Sequence, residues 1–150
     1  AFVFVMVVIT FIDIDHMLIL NKVTRPAVVI AYGASLLLGR TWWQGLVGIA
    51  VGYGVPWLIG EIYFRLRGRE GLGLGDAMLL ALIGALLGWK GVVVSLFGGS
   101  LIGSVIGLVV LARARQDVGR TELPFGPFLA AASIVYLFAE PWVELYFRLV

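Results

Sequence analysis

The chain has 150 residues, 61% hydrophobic and 13% charged, with a formal net charge of +2 and a mean hydropathy of +1.05. A soluble domain carries about 25% charged residues, and a fold this apolar has too little polar surface to face water. The composition therefore predicts a membrane protein. Its short basic runs between apolar segments give no sign of a nucleic-acid-binding surface. The absence of cysteine excludes disulfides, thiolate metal sites and cysteine nucleophiles.

Apolar segments follow one another along the whole chain, and we expect a single domain, 1–150, built as an all-α bundle of six transmembrane helices. A helix needs about 20 apolar residues to cross a bilayer; the third and fifth segments reach that length and the second and fourth are shorter. The stretch 140–150 either continues the last helix, with a break at Pro141, or lies in the membrane interface. The six segments are residues 1–20, 26–38, 42–64, 74–89, 91–112 and 124–138.

The basic residues separate by side if the loops alternate across the membrane. Eight of them fall in or near the loops 21–25, 65–73 and 113–123, and three fall on the other side. Because cytoplasmic loops are enriched in Lys and Arg, the richer side is predicted to be cytoplasmic. An odd number of spans would not give this separation, so the charges favour six.

Several side chains have simple structural explanations. Glycines inside the segments, such as Gly48, Gly84 and Gly103, are spaced for close helix packing in lipid. Glu61 is predicted to form an ion pair with Arg65 four residues later.

Acidic residues are costly inside a lipid-spanning segment, so those at segment ends need an explanation. Asp13 and Asp15 end the first segment, and Asp76 opens the fourth. The predicted topology puts all three toward the cytoplasmic face. Two carboxylates across a poorly hydrated gap share a proton, because the pKa of one of them rises. One carboxylate then takes a proton from water while the other protonates a scissile carbonyl. This chemistry needs no metal and no cofactor, and we expect neither.

Glycines alternate before Asp76, in the run Gly71-Leu72-Gly73-Leu74-Gly75-Asp76. A residue without a side chain leaves room for another backbone beside the carboxylate. The pattern therefore favours a peptide substrate that presents an extended backbone at this place.

Three motifs resemble those of the type IV prepilin peptidases, a family of membrane-embedded aspartyl proteases. The stretch 73–76 is similar to the family's GxGD signature. The stretch 11–21, FIDIDHMLILN, is similar to its first-aspartate motif, in which the Asp before the His is catalytic. The stretch 124–130, PFGPFLA, resembles the family's PFGP segment. Two positions differ: the family usually has Pro at Leu20 and Lys at Met78.

The resemblance implies specific roles for these residues. Asp15 and Asp76 would be the catalytic pair, and six further residues would bind the substrate. The substrate would be a prepilin or pseudopilin with a basic leader and an apolar helix, cut after a glycine. The protein would lie in the bacterial inner membrane, multi-pass, with its active site facing the cytoplasm. The expected substrate-binding residues are Asp13, Gly73, Gly75, Pro124, Gly126 and Pro127.

Bifunctional members of this family also carry an N-terminal region linked to methylation, which this sequence lacks. Since the sequence opens directly in an apolar run, we expect a fragment that cleaves but does not methylate. Two other functions stay open. One is a proton- or cation-coupled transporter or channel using intramembrane carboxylates. The other is a catalytically silent assembly factor of a pilus or secretion system.

Overall fold

The computed structural model of the chain describes residues 2–16, 21–68, 74–114 and 125–149. Within these ranges the structure is helical and contains no strand, which confirms the all-α prediction. The arrangement in six transmembrane helices stays a prediction. The helices are α1 (Phe2–His16), α2 (Asn21–Leu37), α3 (Trp42–Arg67), α4 (Leu74–Ala114) and α5 (Gly126–Leu149).

Three prolines lie inside helices: Pro26 in α2, Pro56 in α3 and Pro141 in α5. Helix α2 begins at Asn21, five residues before the predicted start, and Pro26 lies in its second turn. A proline there removes only one intrahelical hydrogen bond, which the rest of the helix tolerates. Helix α5 continues through Pro141 to Leu149, so the stretch after residue 140 extends the last helix.

Gly88 interrupts α4, with φ 71° and ψ −176°. In a straight helix Gly84 and Val92 would be about 12 Å apart along the axis. A Cβ atom built on Gly84 would instead lie 2.9 Å from Val92 Cγ2. The chain therefore folds back at Gly88, and α4 consists of two arms, residues 74–87 and 89–114. This turn lies between the predicted fourth and fifth segments.

The first arm of α4 is the centre of the fold. Leu79, Leu80 and Ile83 are fully buried, and residues 81–88 are buried without interruption. Helices α2, α3 and α5 all pack against α4. The first arm therefore supplies many of the buried apolar residues of the bundle.

The α3–α4 contact is made by backbone against backbone. A Cβ atom on Gly48 would overlap the Gly84 carbonyl oxygen and lie 2.7 Å from its carbonyl carbon. A Cβ atom on Gly52 would likewise overlap the Leu80 carbonyl group. These glycines let the two helix axes approach more closely than any side chain would allow, as predicted from their spacing.

The second arm of α4 packs against α5 by the same means. A Cβ atom on Gly98 would lie 3.2 Å from Ala132 Cβ, and one on Gly103 would lie 3.0 Å from Phe128 Cδ2. The residue numbers rise on one helix as they fall on the other, so the second arm and α5 run antiparallel.

An ion pair joins distant parts of the chain near the Gly88 turn. Arg40 Nη2 donates to Glu140 Oε2, and these two residues are 100 positions apart. Their side chains are only 22% and 14% exposed. Gln44, Lys90 and Tyr136 line the same small cavity of about 30 Å³, which is close to the space of one water molecule. The pair thus connects the α2–α3 turn to α5 in a partly buried setting.

The outer surface is strongly apolar. Leu37 is 90% exposed and Phe97 is 72% exposed. Two helical stretches in the described ranges, Trp42–Leu66 and Leu74–Val109, are long and apolar enough to cross a membrane. Exposed apolar surface on this scale is suited to lipid rather than water.

The glycine contact predicts opposite effects for two neighbouring substitutions in α3. Gly48→Ala places a methyl group against the Gly84 carbonyl and is expected to lower the free energy of unfolding by about 1–3 kcal/mol. Gly54→Ala meets nothing within 4 Å and is expected to raise it by up to about 1 kcal/mol through helix propensity. Thermal unfolding in detergent measures both. A Gly48→Ala protein as stable as Gly54→Ala would contradict the close backbone contact.

The partly buried ion pair should be worth more than the exposed one. A double-mutant cycle with Arg40→Gln and Glu140→Gln is expected to give a coupling energy of about 1–3 kcal/mol. The exposed Glu61–Arg65 pair serves as the comparison and is expected to give about 0.3–0.5 kcal/mol. Equal coupling energies in denaturant unfolding would show that burial does not strengthen the Arg40–Glu140 pair.

Candidate active site

Asp76 lies in the first turn of α4. The free backbone N–H groups and the dipole of a helix N-terminus favour a carboxylate at this position. Asp76 and Gly75 are partly exposed, whereas Ala77 and Leu79 are buried. Asp76 therefore lies at the boundary between the buried core and the accessible end of the bundle. Gly73, the other expected glycine of this motif, lies outside the described residues.

Asp13 and Asp15 lie in the last turns of α1, where their backbone is helical. Their side chains, like that of His16, lie outside the described part of the structure. The contact expected between the carboxyl groups of Asp15 and Asp76 therefore stays a prediction.

The direction of the helices nonetheless constrains both acids. Phe2 and Val3, at the start of α1, line an apolar groove of about 390 Å³ with Leu38 and Leu86, which lie near the Gly88 turn. Asp15 lies 13 residues after Phe2, about 20 Å along a helix. Asp76 lies 12 residues before Gly88, about 18 Å along the first arm of α4. Counted along their helices, both acids are far from the end of the bundle that holds the Arg40–Glu140 pair.

The PFGP segment opens α5. The backbone N–H groups of Phe128 and Leu129 donate to the Phe125 carbonyl oxygen at 3.1 and 3.2 Å, which closes the first turn. Gly126 is buried and Pro127 is partly exposed, while Pro124 lies outside the described residues. A proline early in a helix is well accommodated because its missing N–H has no intrahelical partner there.

The packing of Phe128 against Gly103 fixes the level of this segment. Gly103 is 15 residues beyond Gly88, about 22 Å along the second arm of α4. The PFGP segment therefore lies toward the same end of the bundle as the first turn of α4. No side-chain contact between the segment and Asp76 is needed for this conclusion.

The predicted ion pair of Glu61 is confirmed. Arg65 Nε donates to Glu61 Oε1 at 2.8 Å, in an exposed i,i+4 geometry. This pairing accounts for Glu61 without a catalytic role. Within the described ranges, no three His, Asp or Glu residues come together as a metal-binding group.

Sequence reasoning missed a cavity of about 250 Å³ one turn beyond Asp76. Arg25 of α2, Tyr53 of α3 and Met78 of α4 lie on its walls. Arg25 was interpreted only as one of the charges that orient the chain. Arg25 lies four residues after Asn21, the first residue of α2, and therefore belongs to that helix rather than to a loop.

Comparison with known proteins decides the family. A sequence model described as the type IV leader peptidase family matches residues 1–108. The chain belongs to this family. The matched range contains Asp13, Asp15 and the Gly73–Asp76 run, and ends before the PFGP segment.

Curated relatives give the same result over more of the chain. All three named here are prepilin leader peptidase/N-methyltransferases. That of Aeromonas salmonicida is 39% identical over 139 residues, covering 89% of this chain and 46% of the relative. That of Xanthomonas campestris is 35% identical, covering 91% and 48%. That of Pseudomonas aeruginosa is 33% identical, covering 84% and 43%.

The chain thus spans less than half the length of these relatives. No solved structure matches it. Membership of the leader peptidase family and two helices able to cross a bilayer together indicate a membrane protein.

Proposed function

We propose that the chain is a membrane-embedded aspartyl endopeptidase that removes the leader peptide of type IV prepilins or pseudopilins. The observation that carries the proposal is the family match over residues 1–108, which includes both candidate catalytic acids. The relatives' names, which couple a leader peptidase to an N-methyltransferase, support the peptidase activity. Since the chain spans less than half of each relative, the proposal concerns cleavage alone.

The proposed chemistry uses Asp15 and Asp76 as one ionised and one protonated carboxyl group. The ionised group accepts a proton from water, whose oxygen attacks the scissile carbonyl carbon. The protonated group gives its proton to the carbonyl oxygen, so the tetrahedral intermediate carries no net charge. Collapse of this intermediate breaks the C–N bond: the departing amine takes a proton from the protonated carboxyl group, and a hydroxyl of the intermediate gives its proton to the ionised one, which restores the dyad. No other reactant is consumed.

The substrate must be extended at the bond that is cut, because a helical backbone hydrogen-bonds its own carbonyl groups. The partly exposed Gly75 beside Asp76 leaves room for such a strand. A glycine on the amino side of the cut would suit a narrow site. We propose that Gly73, Gly75, Asp13 and the PFGP segment hold this part of the substrate.

We propose that the protein has six transmembrane helices and that the two arms of α4 are the fourth and the fifth. The acids would face the cytoplasm in the bacterial inner membrane. Two features support this arrangement: the sharp turn at Gly88 divides α4 between the predicted segments, and the basic residues concentrate on the side to which Asp76 belongs.

Leader release from a purified prepilin tests the mechanism. The variants Asp15→Asn and Asp76→Asn are each tested in the full chain in lipid. Each is expected to lower the cleavage rate by about 10²–10⁴-fold, because it removes one proton-transfer group. Asp13→Asn is expected to raise KM with a smaller effect on kcat.

Glu61→Gln is the matched control, because Glu61 is an acid held by Arg65, and its cleavage rate is expected to match that of the wild type. Thermal unfolding verifies that each variant is folded. Unchanged leader release in both Asp15→Asn and Asp76→Asn would refute the aspartyl mechanism. Lack of cleavage by the wild type, with ion flux in liposomes that needs these acids, would favour the transporter.

Cysteine labelling tests the orientation, because the chain has no cysteine of its own. Thr41 and Leu66 are exposed at opposite ends of α3. In cells with a permeabilised outer membrane, an impermeant maleimide is expected to label Thr41→Cys. Leu66→Cys should react only after the inner membrane is opened. The reverse order would place Asp76 on the outer side of the membrane.

A further inference from the structure

The cavity beyond Asp76 is bounded by three helices. Its volume is about 250 Å³. Helices α2 and α3 both pack closely on α4 but make few contacts with each other. The cavity lies in this gap and therefore opens sideways, toward the space that lipid occupies around a membrane protein. Its walls are Arg25, Val28, Ile49, Tyr53, Met78 and Ala81.

The wall residues that the structure describes are apolar apart from one cation, Arg25, and one phenol, Tyr53. Val28, Ile49 and Ala81 offer only hydrocarbon, and none of the described residues on the walls is a carboxylate. Arg25 is exposed and forms no ion pair with any residue that the structure describes. The other arginines with described side chains, Arg40 and Arg65, each hold a glutamate. The cavity thus carries a positive charge without a protein counter-ion in the described ranges.

We propose that this cavity binds an anionic glycerophospholipid, with the phosphate on Arg25 and an acyl chain against Val28, Ile49 and Ala81. A guanidinium group matches a phosphate through paired N–H donors. Basic pockets between transmembrane helices bind anionic headgroups by this combination of charge and apolar wall. The position of Arg25 early in α2 puts the headgroup toward the end of the bundle that holds Asp76.

A peptide is a poorer match to these walls. An extended backbone brings N–H and C=O groups that need partners when they are buried. Among the lining residues with described side chains, Arg25 and Tyr53 alone can form strong hydrogen bonds. An acyl chain has no such groups, and a laterally open gap admits it directly.

Native mass spectrometry of the full chain, exchanged into mixed micelles with equal dioleoyl-phosphatidylglycerol and dioleoyl-phosphatidylethanolamine, tests the proposal. The wild type is expected to retain one phosphatidylglycerol, preferred over phosphatidylethanolamine by about tenfold. Arg25→Gln is expected to abolish this preference, so that the two lipids are retained equally. Arg25→Lys is expected to keep most of the preference. Arg65→Gln is the matched control, a basic residue outside the cavity, and should behave as the wild type does.

A second variant tests the acyl chain separately from the charge. Val28→Phe fills part of the cavity and is expected to weaken retention of both lipids while leaving Arg25 in place. This readout keeps the proposal testable if Arg25→Gln does not fold.

Equal retention of the two lipids by the wild type would overturn the proposal, as would an equal loss in Arg25→Gln and Arg65→Gln. Displacement of phosphatidylglycerol by an acidic peptide, but not by a neutral one, would assign the cavity to a peptide instead. None of these measurements depends on cleavage, so the lipid site and the peptidase mechanism can fail independently.

Discussion

The fold depends on the direct approach of two backbones, at Gly48 of α3 and Gly84 of α4. In lipid there is little hydrophobic gain when apolar helices associate, because the solvent is as apolar as the side chains. Close packing must supply the attraction instead, and it is strongest where no side chain separates the helices. This contact holds the first arm of α4 against α3; α2 and α5 also pack on α4, and α1 packs on α5. Every element that bears a candidate site residue is placed relative to that arm.

The central arm has two ends of different character. At the Gly88 end, the chain reverses, and the Arg40–Glu140 pair ties α5 to the turn before α3. At the other end, Asp76 is partly exposed in the first turn of the helix. A partly buried ion pair thus lies at one end and a partly exposed carboxyl group at the other.

Local patterns in the sequence predicted much of this structure. Apolar length gave the helices, the i,i+4 spacing gave the Glu61–Arg65 pair, and the spacing of small residues gave the glycine contacts. Local patterns did not predict the features that depend on residues far apart in the sequence. The Arg40–Glu140 pair joins positions with no sequence relation. The sequence also left open whether residues 140–150 continue the last helix, as α5 does through Pro141.

The candidate site shows the same limit. Its motifs are short runs, so they identified Asp15, Asp76 and the PFGP segment individually. Whether two such runs meet depends on helix direction and tilt, which no local pattern encodes. The spacing of glycines within apolar segments indicates packing, but the positive φ of Gly88 shows that this glycine is needed for its backbone conformation. The cavity at Arg25 went unseen because it is a gap between helices.

The reversal at Gly88 has a consequence for the depth of Asp76 in the membrane. The first arm is a continuous helix from that turn to Asp76, so the height of the acid in the membrane is a fixed number of residues from the turn. One residue added within the arm would shift Asp76 by about 1.5 Å and rotate it by about 100°. The length of the arm therefore sets both the depth and the orientation of Asp76, and an insertion or deletion within the arm would change both.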